Sequence, residues 1–246
     1  MNKFRVLSID FDFFQDTDKD TIANCYPDGV DLPSDLSNII WASHYANYSN
    51  ELHKVSINKD LLYDLYDILY NQSINIPVLI TQSHVNIYNF INNLTDKNQV
   101  LSIVNVDLHH DVCNDNPTVD CGNWISHLCK EHPNSNVHWI CRELSMECYN
   151  LSIKDFPIEL NFDKIKDGYF DAIFICRSDM WLPPHLDNYF HDLLLECKLH
   201  FKNVLVQQSI TSPRDITEIV EAENKIKQVI KRCKDVNNNS IAKQEA

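Results

Sequence analysis

Six short aliphatic runs recur along the chain, separated by segments with helical periodicity. The runs are FRVLSID, IPVLITQ, VLSIVNVD, VHWICRE, DAIFICRS and KNVLVQQS. Their nearly continuous apolar character is typical of parallel strands that are covered on both faces. Two of the intervening segments, KDLLYDLYDILYNQ and LDNYFHDLLLECKLHF, place apolar residues at helical spacing. The alternation predicts an α/β fold with three αβα layers around a mainly parallel sheet.

The length of the chain, 246 residues, suits one such domain. We predict that residues 1–233 form this single domain. Residues 234–246 are polar and are predicted to be a disordered tail. The segment from Asp16 to Leu52 is polar and irregular, and its Pro27, Gly29 and Pro33 predict a long loop with one short helix.

Composition and charge argue against several classes of function. The 35 acidic residues exceed the 21 Lys and Arg, and the resulting net charge of −14 repels nucleic acids and favours cationic ligands. Because of this charge, nucleic acid is not an expected partner. The sequence predicts no signal peptide and contains no apolar run of transmembrane length, so a membrane is not an expected partner either. Nine cysteines without a CxxC pair indicate reduced thiols and a cytoplasmic location. Three glycines in the whole chain leave no glycine-rich loop for phosphates.

Acidic residues and histidines follow three of the predicted strands. Side chains alternate along a strand, so residues spaced by two after VLSIVNV would project in one direction if the extended conformation continued. The carboxyl ends of parallel strands share one edge of the sheet, where ligands bind in such folds. The residues expected at this edge are Asp10 and Asp12 after the first run, His84 after the second, and Asp107, His109 and Asp111 after the third.

A single carboxylate or histidine at a strand end is more often a cap or a loop residue, but six together favour a metal site. Four carboxylates beside two imidazoles repel one another unless cations neutralise them. A ligand set that is rich in oxygen with some histidine suits Mn²⁺ better than Zn²⁺. The sequence therefore predicts two Mn²⁺ per chain. The neighbouring His110 should point away from this set, and we assign it to packing or to support of the ligands.

The stretches VDLHHD, SIDFDFF and QSH resemble the D-x-H-x-D, S-x-D-x-D and strand-end histidine motifs of the arginase/deacetylase, or ureohydrolase, superfamily. The six ligands of that family fall on the six residues named above. Members usually carry the S-x-D-x-D strand late in the chain, whereas here it comes first. This order, with GNW at Gly122 and CRSDMW at Cys176, is similar to a divergent branch, the peptide arginases. The resemblance implies an arginase-like fold whose D-x-D strand has moved to the amino terminus.

The resemblance also implies an activity, the conversion of arginine residues in a ribosomally made precursor peptide to ornithine with release of urea. Two metal ions supply a hydroxide at neutral pH for attack on the guanidinium carbon. Asp111 is the candidate to hydrogen-bond this hydroxide in addition to binding metal. His127 is the candidate proton shuttle because its pKa lies near the operating pH, although a structural helix histidine is an equal alternative.

The candidate substrate-binding residues each have a structural alternative. Asp179 fits the guanidinium by position, but it could instead cap a turn. Asn123 could bind substrate or cap the following helix. Trp124 and Trp181 could line the cleft, although core packing is the default for tryptophan.

The preference for a peptide over free arginine rests on an acidic rim. The segment CNDNPTVDCGNW contains Asp115 and Asp120 but no Lys or Arg to meet the α-carboxylate of free arginine. Three alternatives stay open. They are a small-molecule ureohydrolase acting on arginine or agmatine, a deacylase with one zinc ion, and a peptide-binding relative without catalysis. The sequence gives no indication of the oligomeric state.

Overall fold

A computed structural model describes residues 3–29, 31–97, 99–113, 116–149, 157–163 and 165–242. The strands are β1 (Phe4–Asp10), β2 (Gln15–Asp16), β3 (Ser56–Ile57), β4 (Pro77–Thr81), β5 (Leu101–Val106), β6 (Asn136–Ile140), β7 (Ile158–Glu159), β8 (Ala172–Cys176) and β9 (Asn203–Val206). The α-helices are α1 (Lys19–Cys25), α2 (Ser34–Leu52), α3 (Lys59–Tyr70), α4 (Asn86–Leu94), α5 (Trp124–Glu131), α6 (Glu143–Tyr149), α7 (Asp187–His200) and α8 (Thr217–Ala242).

Seven of these strands form one parallel sheet in the order β7-β6-β5-β1-β8-β4-β9. The first strand of the chain is the central one, between β5 and β8. Helices flank the sheet, so the predicted α/β class with a parallel sheet is confirmed. The short strands β2 and β3 form a separate antiparallel pair.

All six predicted strands are present, because their apolar side chains fill cores on the two faces of the sheet. Along β1, Val6 belongs to one buried cluster and Leu7 and Ile9 to the other. Sequence reasoning missed β7, which has only two residues and lies at one edge of the sheet. Both helices predicted from their periodicity also form, as α3 and α7.

Two predictions about irregular segments were wrong. Most of the segment from Asp16 to Leu52 is helical, with α1 followed by the 19-residue helix α2. Burial of Trp41, Ala42 and Tyr45 stabilises α2. The helix could not be recognised from the sequence because its apolar residues do not form one clear face. The stretch 234–242, expected in a disordered tail, continues helix α8, and residues 243–246 lie outside the described residues.

The end of β1 is fixed by aromatic packing. A short 3₁₀ helix, Phe11–Phe14, follows the strand directly, and its three phenylalanines are buried. Asp12 lies between them and is itself fully buried. The turn therefore holds a carboxylate inside the protein beside the carboxyl ends of the central strands. Within the described part of the chain, no helix has the length and apolar character needed to cross a membrane.

Candidate metal centre

The structure brings all six predicted ligands together at the carboxyl ends of the central strands. His84 lies at the centre of the first group of side chains. Its Nδ1 atom is 3.2 Å from Asp10 Oδ2, 3.3 Å from Asp107 Oδ2 and 3.0 Å from Asp111 Oδ2. All four of these side chains are buried. Ligand atoms of His84, Asp10 and Asp107 are close enough to one another to hold one metal ion.

A second group of ligands adjoins the first. His109 Nδ1 lies 3.1 Å from Asp12 Oδ2 and 3.5 Å from Asp107 Oδ1. These three residues also place their ligand atoms within the span of one ion. Asp107 belongs to both groups and presents one carboxylate oxygen to each histidine. The arrangement is therefore two adjacent triads, each with one histidine and two aspartates, that share Asp107.

The residues after β5 converge through a turn and not through a continuation of the extended strand. β5 ends at Val106, and the chain bends over residues 107–109. His109 N donates a hydrogen bond to Asp107 Oδ1 at 2.7 Å, which closes the bend. Asp111 adopts a left-handed conformation with φ of 54°, a conformation that is uncommon for residues other than glycine. The turn, together with this conformation, directs Asp111 towards His84.

Other buried side chains orient the ligands. Ser8 Oγ lies 2.6 Å from His84 Nε2, so a proton on Nε2 leaves Nδ1 free to bind a metal. Trp124 Nε1 donates to Asp111 Oδ2 at 2.5 Å, and Ser178 Oγ donates to Asp10 Oδ2 at 3.1 Å. Sequence reasoning missed these roles of Ser8 and Ser178. The spacing of two between Ser8 and Asp10 was the available signal, because it places both on one face of β1.

The centre carries an excess of acid that its own histidines do not balance. Burial, followed by the charges of Asp12 and Asp107, raises the pKa of Asp10 to about 7. Burial and then the charge of Asp107 raise the pKa of Asp111 to about 8. For Asp107, burial is outweighed by the two histidines, and its pKa lies below the usual range. No Lys or Arg of the described residues forms an ion pair with these carboxylates.

The residues present fit divalent cations. Both carboxylate oxygens of Asp12 are buried; His109 Nδ1 approaches Oδ2 at 3.1 Å, whereas Oδ1 has no hydrogen-bond partner among the described residues. A buried carboxylate oxygen without a partner is costly, and a bound cation would compensate it. Carboxylate oxygens with one imidazole for each triad are ligands that suit manganese.

Two of the predicted substrate-binding residues do not face this centre. The amide of Asn123 is used within its own loop, because Nδ2 donates to Thr118 O at 2.9 Å and Oδ1 accepts from Asp120 N at 2.8 Å. Asp179 is paired with Arg177 through two hydrogen bonds of 2.5 and 3.0 Å. Its carboxylate is therefore already neutralised inside the protein. Neither side chain is therefore in a position to bind substrate at this centre.

Trp124 and His127 take positions different from those expected. Trp124 is fully buried behind Asp111, so it positions a ligand and does not line the cleft. His127 is on helix α5, and its Nε2 lies 3.4 Å from Asn116 O in the adjoining loop. None of the contacts described for His127 reaches a metal-ligating residue. The geometry thus favours the structural alternative for this histidine.

A cavity of about 150 Å³ opens on the ligand cluster. Its walls include Asp10, Asp111, His110 and Trp181. His110 packs at right angles to Trp139 with ring centroids 6.1 Å apart, in agreement with the expected packing role, and it also lines the cavity. The ring of Trp181 lies against that of His109, with 5.7 Å between the ring centroids. Trp181 lines the cleft, which is one of the two positions expected for it.

The arrangement provides two adjacent groups of side chains, each of which could hold a cation, next to a cavity. This geometry is suited to activating a water molecule for attack on a substrate in the cavity. Comparisons of the chain with models of protein families, with curated proteins and with solved structures found no match.

Proposed function

We propose that this chain is a dinuclear manganese hydrolase with an arginase-like fold, which converts arginine residues of a peptide to ornithine and releases urea. The observation that carries the proposal is the pair of His/Asp/Asp triads that share Asp107. A deacylase with one zinc ion would need only one such triad. The presence of both Asp12 and His84 in ligating positions favours two ions over one.

The protein contributes a defined set of interactions to this chemistry. When bound, two divalent ions lower the pKa of water so that hydroxide is present at neutral pH. Asp10, His84 and Asp107 would hold one ion, and Asp12, Asp107 and His109 the other. Asp111 borders the cavity, where its carboxylate can accept a hydrogen bond from the attacking hydroxide. Addition of water to the guanidinium carbon and cleavage of the bond to the side-chain nitrogen give urea and an amine.

The residues that line the cavity favour the binding of a cationic substrate. Among the described residues that line it, two are aspartates and none is Lys or Arg. A guanidinium would meet carboxylates and the aromatic ring of Trp181, which favours cations. The α-carboxylate of free arginine would find no cationic partner in this lining, whereas arginine inside a peptide brings only neutral amides. Asp120 is close to the cavity, beside its lining residue Gly122, and Asp115 lies outside the described residues.

The test is a measurement of urea after the protein has been loaded with Mn²⁺ and incubated with an arginine-containing peptide. We expect urea in proportion to enzyme and a loss of CH₂N₂ from the peptide for each arginine converted, measured by mass spectrometry. Free arginine, agmatine and an acetyl-lysine peptide are run in parallel. A preference for free arginine or agmatine would indicate a small-molecule ureohydrolase. Release of acetate without urea would indicate a deacylase, and no reaction on any substrate would overturn the proposal.

A further inference from the structure

His110 lines the cavity without belonging to either metal triad. It follows the ligand His109 directly in the chain, and its partly buried ring packs at right angles to Trp139. The metal centre therefore leaves this polar side chain unused, at the edge of the space that a substrate would occupy.

One hydrogen bond fixes the position of the proton on His110. Val112 N donates to Nδ1 of the imidazole at 3.1 Å. A ring nitrogen that accepts a hydrogen bond carries no proton, and a neutral imidazole has a single proton, which then lies on Nε2. The side chain is therefore an uncharged N–H donor at Nε2.

The Nε2 atom of His110 is open. Among the described residues no hydrogen bond to this atom is formed, yet it is not one of the buried polar atoms that lack a partner. A ring nitrogen that is neither bonded nor enclosed is accessible, and the cavity is the space that His110 lines. The N–H is thus available to an acceptor inside the cavity.

The cavity lining outside the ligand cluster is otherwise uncharged. Among the described residues, its members beside His110 are Cys113, Cys121, Gly122 and Trp181. The main-chain groups of Gly122 are already used, because its N–H donates to Asp120 Oδ1 and its carbonyl accepts from Cys113 N, both at 3.0 Å. The lining that adjoins the metal ligands thus offers neither a cation nor an anion to a substrate.

Trp181 turns a different part of its side chain to the cavity. The edge of the indole that carries Nε1 lies against Gly29, where a Cβ atom added to the glycine would be 3.1 Å from Cζ2 and 3.3 Å from Nε1. The ring itself lies against His109 in the cavity wall. Trp181 therefore contributes an aromatic surface, and the N–H donor in the uncharged part of the lining comes from His110.

We propose that His110 Nε2 donates a hydrogen bond to a main-chain carbonyl oxygen of the peptide next to the target arginine. This inference rests on the proposed function and adds to it the residue that recognises the peptide bond. A guanidinium consists of N–H donors and has no acceptor for this N–H, whereas each peptide bond supplies a carbonyl oxygen. The two ends of the arginine residue are thus bound by different chemistry, the side chain by carboxylates and the main chain by a neutral donor.

The neutral character of the donor also bears on free arginine. The α-carboxylate of free arginine is an acceptor for the same N–H, but a carboxylate placed here keeps an uncompensated charge beside the aspartates of the centre. A carbonyl oxygen makes the same hydrogen bond without that cost. His110 therefore favours arginine inside a peptide over the free amino acid.

The binding experiment uses two amines that the proposed reaction does not consume. N-acetyl-ornithine amide has main-chain carbonyls, and butylamine has the same amine chain without them. The variants are His110→Phe, which keeps an aromatic ring against Trp139 but lacks the N–H, and His53→Phe, at an exposed position after helix α2 that does not line the cavity. All are loaded with Mn²⁺ and titrated by calorimetry.

We expect His110→Phe to retain two Mn²⁺ per chain and to bind N-acetyl-ornithine amide about 5- to 10-fold more weakly than the wild-type protein, since one neutral hydrogen bond is lost. The affinity for butylamine should not change, and His53→Phe should match the wild-type protein with both compounds. Unchanged affinity for the amide in His110→Phe, an equal loss for both compounds, or loss of metal would overturn the inference. Equal affinities of the wild-type protein for the two compounds would overturn it without any variant.

A kinetic measurement separates this inference from the proposed function. On an arginine-containing peptide, His110→Phe should raise KM about 5- to 10-fold with little change in kcat, because the N–H contacts the main chain and not the reacting carbon. A fall in kcat at unchanged KM would contradict the binding role. Urea release by the wild-type protein decides the hydrolase independently, so a protein that releases urea but shows no preference for N-acetyl-ornithine amide contradicts this inference alone.

Discussion

The molecule buries charge in two places, and only one of them is electrically balanced. The metal centre contains four aspartates and two histidines without a Lys or Arg among the described ion pairs. On the other side of Asp10, beyond Ser178, two buried arginines meet two buried aspartates. Arg177 Nε lies 2.5 Å from Asp179 Oδ1, and Arg214 Nη2 lies 2.6 Å from Asp187 Oδ1. We refer to these four residues as the arginine network.

The arginine network is complete in itself. Arg214 donates further hydrogen bonds to Leu182 O at 2.7 Å and to Asp179 O at 2.6 Å, so its guanidinium is satisfied on several sides. Each carboxylate has a cation, and the network joins the start of α7 to the segment after β8. Buried charge is tolerated when it is paired and hydrogen-bonded. The metal centre violates that rule unless ions are bound, which is why the two regions are expected to respond differently to mutation, metal and pH.

The largest effect is expected from breaking the balanced region. Arg214→Leu leaves Asp187 with only Arg177, whose Nη1 is 3.3 Å from Asp187 Oδ2. We expect a loss of about 3–5 kcal/mol in the free energy of unfolding, because a buried carboxylate loses its main partner. Urea denaturation measures the loss. Lys225→Ala removes an exposed pair with Glu221 and should change stability by at most about 0.5 kcal/mol. Equal effects of the two variants would contradict the comparison.

The unbalanced region should respond to metal. Mn²⁺ at about 100 times its dissociation constant should stabilise the folded protein by about 2.7 kcal/mol for each site. Elemental analysis should find two ions in the wild-type protein and in His110→Ala. Asp12→Asn should lose one ion, whereas Asp107→Asn should lose both because Asp107 serves both triads. One remaining ion in Asp107→Asn would show that the triads are independent of each other.

The metal-free protein should become less stable as pH rises. The pKa values of Asp10 and Asp111 are raised to about 7 and 8 by burial, and that of His84 is raised by the surrounding carboxylates against the effect of burial. A group with a raised folded-state pKa contributes stability below its unfolded pKa and loses it as pH passes the folded value. We expect the free energy of unfolding to decrease steadily between pH 5 and pH 8.5. Denaturation in a chelator measures it, and stability that rises over this range would contradict the assignment.

A smaller effect is expected from the support of one ligand. Ser8→Ala removes the partner of His84 Nε2 and should weaken Mn²⁺ binding by about 1 kcal/mol, which is roughly fivefold in affinity. Ser102→Ala on β5 is the control, since Ser102 pairs with Arg5 at the opposite end of the strands from the metal centre. Titration calorimetry compares the two. Identical affinities would show that Ser8 does not orient the histidine.

The strands and the clustering of the candidate ligands could be predicted from the sequence because their signals are local. Apolar runs identify the six strands, and spacings of two place Asp10 with Asp12 and Asp107 with His109 at the ends of parallel strands. The partner of Asp179 could not be found in this way. Arg177 is only two residues away, but a pairing of these two side chains depends on the turn after β8, where Ser178 has a φ of 62°.

The central position of β1 has a consequence for the synthesis of the protein. During synthesis, β1 has no sheet neighbour until residues 101–106 have been made, and its second neighbour is completed only at Cys176. Contacts between residues so distant in sequence form slowly, and unpaired apolar strands are prone to aggregate during that interval. We therefore expect the nascent FRVLSIDFDFF segment to need chaperone protection during this interval.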